Sequence, residues 1–340
     1  MIFIENNNLD PALNHAIELY VMDKYNDDVF MLWRNNPCIL IGRYQNINLE
    51  VNLEFTASNG IEVVRRLSGG GAIYCDTDNM QYTFITKKPQ TKIDDSFKNF
   101  AKPVVNALKS LGLNAEFTGR NDIQINGLKV SGNAQFYKNG KVVHHGTLLF
   151  KANTYNLSNA LKARDIKFKG KEVQSIAARI GFISNFIDMS VTEFKDYVEA
   201  FIKKEYNINS VTVLTDDDME EIKKIKSEIF GTKEWNYGIK PLNKNRKSEK
   251  YSCGIVEIDI DYKDGKIQDI TIEGDFFGEL GIDNLCNILK GSECSRQAVT
   301  ETLKNIEIDK YIKSMEKEVF IDYIMRIIEA DTCDGKKRIC

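Results

Sequence analysis

Several protein classes are excluded by what this chain lacks. It has no basic excess: 46 Lys+Arg stand against 49 Asp+Glu, a formal charge of −3. That removes any global case for nucleic-acid binding and makes any anion site a local feature. Its seven cysteines are odd in number and none is paired at CxxC spacing. This argues against a disulfide framework or a zinc knuckle, and for a reducing compartment. No apolar run approaches the roughly 20 residues needed to cross a bilayer. The opening Met1-Ile2-Phe3-Ile4-Glu5 has no basic segment of the kind that starts a signal peptide. Prolines are few, and there is no internal repeat or low-complexity tract. A soluble, cytoplasmic globular protein is expected, with neither membrane nor nucleic acid as partner.

What is present points to chemistry. The 340 residues are 42% hydrophobic, ample for one large domain and a smaller one. The stretch Arg65-Arg66-Leu67-Ser68-Gly69-Gly70-Gly71-Ala72-Ile73-Tyr74 places a glycine triplet behind two arginines. Such a triplet frees the backbone for positive φ and close approach of a ligand. Its amides can form a nest for an anion, and the arginines supply forked donors for phosphate or carboxylate. Glu62–Arg66 and Ala72–Tyr74 read as strands, so the loop is a strand–loop–strand feature, unlike the strand–loop–helix of a Walker or Rossmann site. A second unusual stretch, Lys129-Val130-Ser131-Gly132-Asn133-Ala134-Gln135, is followed by His144-His145-Gly146-Thr147-Leu148-Leu149. Together they suggest an enzyme holding a nucleotide phosphate and an acid.

The remaining pattern is coarse. Asp10-Pro11 starts a helix. Strands are expected at Val29–Arg34, Cys38–Arg43 and 81–86, and a short helix over 49–58. Residues 96–111 read as a helix that Pro103 should kink or split. Asn126-Gly127 and Asn139-Gly140 are hairpin turns joining 123–125, 128–137 and 142–150. Ser190-x-x-Glu193 is a capping box before a helix at 191–205, and 216–229 forms another. The basic stretch 240–250 reads as a linker. Beyond it come a hairpin through Asp264-Gly265 and helices at 281–290, 295–304 and 316–329. This gives three regions: 1–239, a linker 240–250, and a C-terminal α+β unit at 251–340.

The segments RRLSGGGAIY, NDIQINGLKVSGNAQ and HHGTLLF, in this order, resemble the signature segments of lipoate–protein ligases of the biotin/lipoate protein ligase superfamily. Glu234-Trp235-Asn236-Tyr237-Gly238 resembles the family's interdomain junction, and Gly274-Asp275-Phe276-Phe277-Gly278 its accessory domain. The resemblance implies an α+β fold like class II synthetases: a mixed sheet flanked by helices, plus a small C-terminal α+β domain. It implies that lipoate and ATP form lipoyl-AMP and pyrophosphate, with Mg²⁺ entering with the triphosphate. A lysine of a lipoyl carrier, either a 2-oxoacid dehydrogenase E2 subunit or the glycine-cleavage H protein, then takes the acyl group. Lys129 maps onto the family's catalytic lysine and would bridge carboxylate and α-phosphate. Arg66, Gly71, Ala72, Ile73 and Tyr74 map onto the adenylate-binding segment. Ser68, Gly70, Gly132, Ala134 and His145, with Lys129, are assigned to the lipoate. Asn121 and Asp122 support the ligand, the lysine or a metal; an Asx turn reads equally well. Gly132 could equally mark a bulge. Adjacent strand residues face opposite sides, so at most one of His144 and His145 points into the site. Neither has a second His or Cys at ligand spacing, and no metal ligand set is assigned.

Two departures stand out. Cys75 occupies a position where many relatives have histidine; it either fills a small apolar space or places a thiol near the acyl group. The 240–250 linker is longer and more basic than in relatives. Two other readings remain: an ATP-independent acyltransferase of the same fold using a cysteine nucleophile, and a non-catalytic lipoate-binding protein. No cysteine lies between Cys75 and Cys253 to serve the first, and the intact lysine and loop weigh against the second.

Overall fold

A computed structural model describes residues 1–89, 93–162, 179–238 and 246–336. Its largest sheet has eight strands: β1 (Ile2–Glu5), β2 (Val29–Trp33), β6 (Met80–Lys87), β7 (Ala115–Thr118), β8 (Asp122–Ile125), β9 (Leu128–Lys138), β10 (Lys141–Leu148) and β11 (Val211–Val213). Their spatial order is β11-β1-β2-β6-β10-β9-β8-β7. The β11-β1-β2 end is parallel and the rest antiparallel. Alternate residues feed different cores. Phe3, Phe30, Leu32, Tyr82 and Phe84 pack under helices at Ile93–Ser110 and Val191–Glu205. Ile4, Val29, Met31, Trp33 and Ile85 pack under α1 (Pro11–Lys24) and the helix at Asp216–Ile225. This period-2 segregation makes a mixed sheet clad by helices on both faces.

A second sheet carries the glycine loop. Its order is β4-β3-β5, with β3 at Cys38–Ile41, β4 at Glu62–Arg65 and β5 at Ile73–Cys75. Strand β4 is parallel to β3 and β5 antiparallel to it. Residues 66–72 therefore cross from one flank of β3 to the other, a strand–loop–strand connection as expected. A third sheet, β12-β13-β14 (Lys247–Tyr251, Gly254–Lys263, Lys266–Gly274), packs against helices at Ile282–Leu289, Arg296–Thr302 and Lys317–Lys336 around its own core.

Local signals behave as their chemistry dictates. Asp10 caps α1, with Pro11 in the first turn, and Ser190 and Glu193 form the reciprocal capping box. The Asn126-Gly127, Asn139-Gly140 and Asp264-Gly265 turns all have positive φ at both residues, the geometry of tight hairpins. Three expectations change. Pro103 does not split its helix, which runs unbroken over Ile93–Ser110. The carbonyl it leaves without a donor is that of Asn99, an exposed residue that water can serve. The helix expected over 49–58 is two short ones, Ile47–Glu50 and Leu53–Ser58, each started by an asparagine cap. Lys247–Lys250, expected in a linker, pair with β13; the linker's 240–245 lie outside the described residues.

Candidate active site

A cavity of about 680 Å³ opens between the two N-terminal sheets. Its wall includes Arg66, Gly70, Gly71, Ala72, Ile73 and Tyr74 from the glycine loop, Asn121, Asp122, Lys129, Gly132 and Ala134 from β8–β9, and His145 from β10. These sequence-derived residues are thus brought together. Ser68 is the exception: it is fully buried and stands behind the wall.

Lys129 reaches the cavity because β9 is bulged beside it. Ile123 pairs with Ser131 and Gln124 with Lys129, leaving Val130 as the extra residue. A bulge bends a strand and re-aims its side chains. The Lys129 ammonium lies 2.7 Å from Asp122 Oδ1. Gly132 makes the room: a Cβ there would stand 3.3 Å from both Cε and Nζ of Lys129. The space at Gly132 therefore accommodates the lysine, and the bulge is one pair away from that glycine. Asn121 donates from its side-chain amide to the Asn133 carbonyl, 2.8 Å away. It fastens β9 rather than forming a free turn.

The two loop arginines have separate jobs. Arg65 is buried and spends its guanidinium on carbonyls of Gly42, Arg43, Gln45, Trp235 and Asn236. It ties the loop's base to the 234–238 junction and does not line the cavity. Arg66 donates to Ser68 Oγ and to the carbonyls of Leu40, Gly69 and Gly71. Burial pulls its pKa down to about 10, so it remains charged at neutral pH. No described carboxylate lies within ion-pair distance of it. A buried cation served only by neutral dipoles favours an incoming anion.

Sequence spacing could not show what surrounds His145. Its Nδ1 lies 2.9 Å from Glu18 Oε1, and its Nε2 lies 2.7 Å from Ser68 Oγ. His15 Nδ1 approaches Glu18 Oε2 at 2.8 Å, and Thr83 donates to Oε1 at 2.7 Å. Burial alone would raise the Glu18 pKa, but the charge and hydrogen bonds of His145 and His15 hold it well below the usual carboxylate range. The ionised Glu18 carboxylate faces Nδ1 of His145, and the Ser68 hydroxyl faces its Nε2. His15 and Glu18 both come from α1, so no spacing near residue 145 announces them. His15, Glu18 and His145 also form a three-donor cluster, where sequence spacing assigned no metal ligands. Their mutual hydrogen bonds already account for the arrangement. His144 points the other way, between Gln135 and Asn133, and burial holds it neutral with a pKa well below 6.5.

The lining grades from inside to outside. Trp33, His15 and Gln81 are buried, whereas Lys162 and Arg179 are exposed. Arg179 and Lys162 were missed by the motif reading, because neither sits in a recognisable segment. Cys75 does not line the cavity; it is wholly buried and accepts from Gln81 Nε2 at 3.3 Å. The accessory unit reaches the loop directly. Phe276 C=O accepts from the Gly70 amide at 3.3 Å, and Phe277 packs with Phe97 and Ala134 beneath Arg120, 4.8 Å from its ring centre.

Comparison with known proteins decides the family. The lipoyl protein ligase A/B catalytic domain matches residues 10–203, and the bacterial lipoate protein ligase C-terminus matches 240–324. This chain belongs to the lipoate–protein ligase family. A lipoate–protein ligase of Bacillus subtilis (strain 168) is 38% identical over 95% of this chain and 100% of its own length. Lipoate–protein ligase 1 of Staphylococcus aureus (strain Mu50 / ATCC 700699) is 37% identical over 94% and 99%. Among solved structures, P. falciparum LipL1 in complex with lipoate superposes with a TM-score of 0.78 at 25% identity, covering 96% of this chain and 98% of its own. The mixed helix-flanked sheet and small C-terminal unit are thus those of a lipoate–protein ligase. No described helix of this ligase is long and apolar enough to cross a membrane.

Proposed function

We propose that this ligase activates lipoate with ATP and passes the lipoyl group to a lysine of lipoyl carrier domains, the E2 subunits of 2-oxoacid dehydrogenases or the glycine-cleavage H protein. The observation carrying this reading is the grading of the cavity: a buried inner wall at Trp33, His15 and Gln81 with the buried cation Arg66, and the more open cations Lys129, Lys162 and Arg179 toward its outer parts. An acyl chain suits the inner wall and a triphosphate the cationic part. Two like-charged substrates meet only where their repulsion is offset, and Lys129 occupies such a point.

In the first step a lipoate carboxylate oxygen attacks the α-phosphorus and pyrophosphate leaves. Lys129 holds both anions and stabilises charge on the phosphoryl oxygens. In the second step the carrier's lysine amine attacks the acyl carbonyl, AMP leaves, and the amine gives up a proton. Lys129 then faces the carbonyl oxyanion. Gly70 and Gly71 let the loop close on phosphate, while Arg66 exchanges its loop carbonyls for phosphate oxygens. Mg²⁺ would enter with the substrate's own phosphates and offset their charge, while Asp122 serves the Lys129 ammonium. The catalytic unit is taken as 1–239 and the accessory unit as starting with β12, and the accessory unit moves after adenylation. Phe276 must release Gly70 for its amide to serve phosphate.

The test is incubation with ATP, Mg²⁺, lipoate and a panel of purified carrier domains, read by intact mass and pyrophosphate release. Modified carrier with stoichiometric pyrophosphate supports the reading. Acyl transfer without ATP would revive the cysteine transferase, against which stands the absence of any cysteine from the cavity wall among the described residues.

A further inference from the structure

Cys38 and Cys75 stand directly opposite each other on the antiparallel strands β3 and β5. Both are free and fully buried, and both belong to one apolar cluster. Opposed residues of an antiparallel pair have Cα atoms roughly 4.5–5.5 Å apart, inside the window of about 4.4–6.8 Å that a disulfide needs. The pair is tied to the ligand site. Leu40 faces Ile73 two residues along the same strands, shares their apolar cluster, and both line the cavity. Gln81, also in that wall, donates to Cys75 Sγ. The Leu40 carbonyl accepts from Arg66 Nη1.

We infer that Cys38 and Cys75 form an oxidative modification site, at which a hydroperoxide closes a cross-strand disulfide that distorts the adjoining wall of the ligand cavity. Cys75, on the Gln81 side, is the first nucleophile. Burial pushes the Cys38 thiol well above its ordinary value, keeping it protonated. The Cys75 sulfur attacks the O–O bond, giving a sulfenic acid and an alcohol, or water from hydrogen peroxide. Cys38 sulfur then attacks Cys75 sulfur, and the displaced hydroxide leaves as water with the Cys38 proton. Two thiols are oxidised, one hydroperoxide is reduced, and every atom is placed. Closure shortens the sulfur separation to about 2.05 Å and removes the thiol that Gln81 contacts. Leu40 and Ile73 are drawn with their strands. The crosslink is independent of the proposed activity; its consequence for ligation rests on that reading.

The full chain is treated with hydrogen peroxide at neutral pH, alkylated in denaturant, digested and read by mass. The expected product is one peptide pair joined through Cys38 and Cys75, two hydrogens lighter than the reduced pair. At least a tenfold loss of carrier ligation should accompany it, reversed by dithiothreitol. Cys38→Ser and Cys38→Ala should keep the untreated ligation rate, form no crosslink, and leave a Cys75 sulfenic acid that dimedone traps. Full alkylation of both cysteines after peroxide, or crosslinks to other cysteines alone, overturns the site. A complete crosslink with an unchanged ligation rate overturns its coupling to the cavity. A reduced protein that ligates nothing refutes the ligase reading and leaves the crosslink measurement standing.

Discussion

Replacing Lys129 with alanine separates chemistry from folding. The side chain is 37% exposed, and its ion pair with Asp122 is 28% exposed on the acid side. A pair so open to water stabilises the fold by about 0–1 kcal/mol, and β9 keeps its backbone partners. The melting temperature should fall by no more than about 3 °C. Activity should fall far more. Losing a fixed charge at a developing anion costs about 2.7–4 kcal/mol, a factor of roughly 10² to 10³. Asp122 adds to this, because without its ammonium the carboxylate repels both substrates. At a separation of about 6 Å and an effective dielectric of about 20, one such repulsion is about 3 kcal/mol. ATP–pyrophosphate exchange in the presence of lipoate should therefore drop by more than about 10³-fold. Asp122→Asn added to Lys129→Ala should recover up to about 10² of it. Exchange within tenfold of the unmodified protein would refute the role of Lys129. A double variant no faster than the single one would refute the electrostatic account of Asp122.

Acidification should destabilise the fold. Burial holds His15 and His144 below the ordinary 6.5, so the unfolded chain takes up their protons first. Their stabilisation is present above about pH 6.5 and is lost as pH falls, by up to about 1.4 kcal/mol per pH unit for each. Glu18, also held low, acts with the same sign below the ordinary carboxylate range. Thermal melts between pH 7.5 and 5.5 should show a loss of roughly 2–3 kcal/mol for the histidines together; a flat profile contradicts their neutral burial. Glu18→Gln puts an amide where two imidazole nitrogens and a hydroxyl meet the carboxylate, and should cost roughly 2–4 kcal/mol in urea unfolding. An unchanged midpoint would show that the network is not a structural unit. Gly69→Ala would place a Cβ 2.2 Å from the Phe276 carbonyl oxygen, forcing the accessory turn away from the loop. Faster limited proteolysis between the two units is the expected readout, and an unaltered digestion pattern would remove that contact from the account.

Much of the fold was legible because its signals are local. Asparagine–glycine turns, the Ser190 capping box and the Asp10-Pro11 start act within four residues, and each stands where the pattern placed it. Pro103 failed as a breaker because helix packing and an exposed carbonyl offset one missing hydrogen bond. The basic composition of Lys247–Lys250 suggested a linker, but edge pairing with β13 needs little apolar content. In the site, motif residues converged on one cavity, whereas Ser68 proved to be support for Arg66 and His145.

The order of residues alone determined the loop between two strands, the opposite outlooks of His144 and His145, and the kinship carried by three short segments. It could do so because backbone freedom, side-chain alternation and motif identity are written in consecutive positions. Tertiary structure decided that Glu18 and His15 stand behind His145, that Arg65 clamps while Arg66 stays free of any described ion pair, and that Cys38 meets Cys75. Those relations join residues tens to more than a hundred positions apart. Only sheet register and helix packing bring them within a few ångströms, where hydrogen bonds and charge can act.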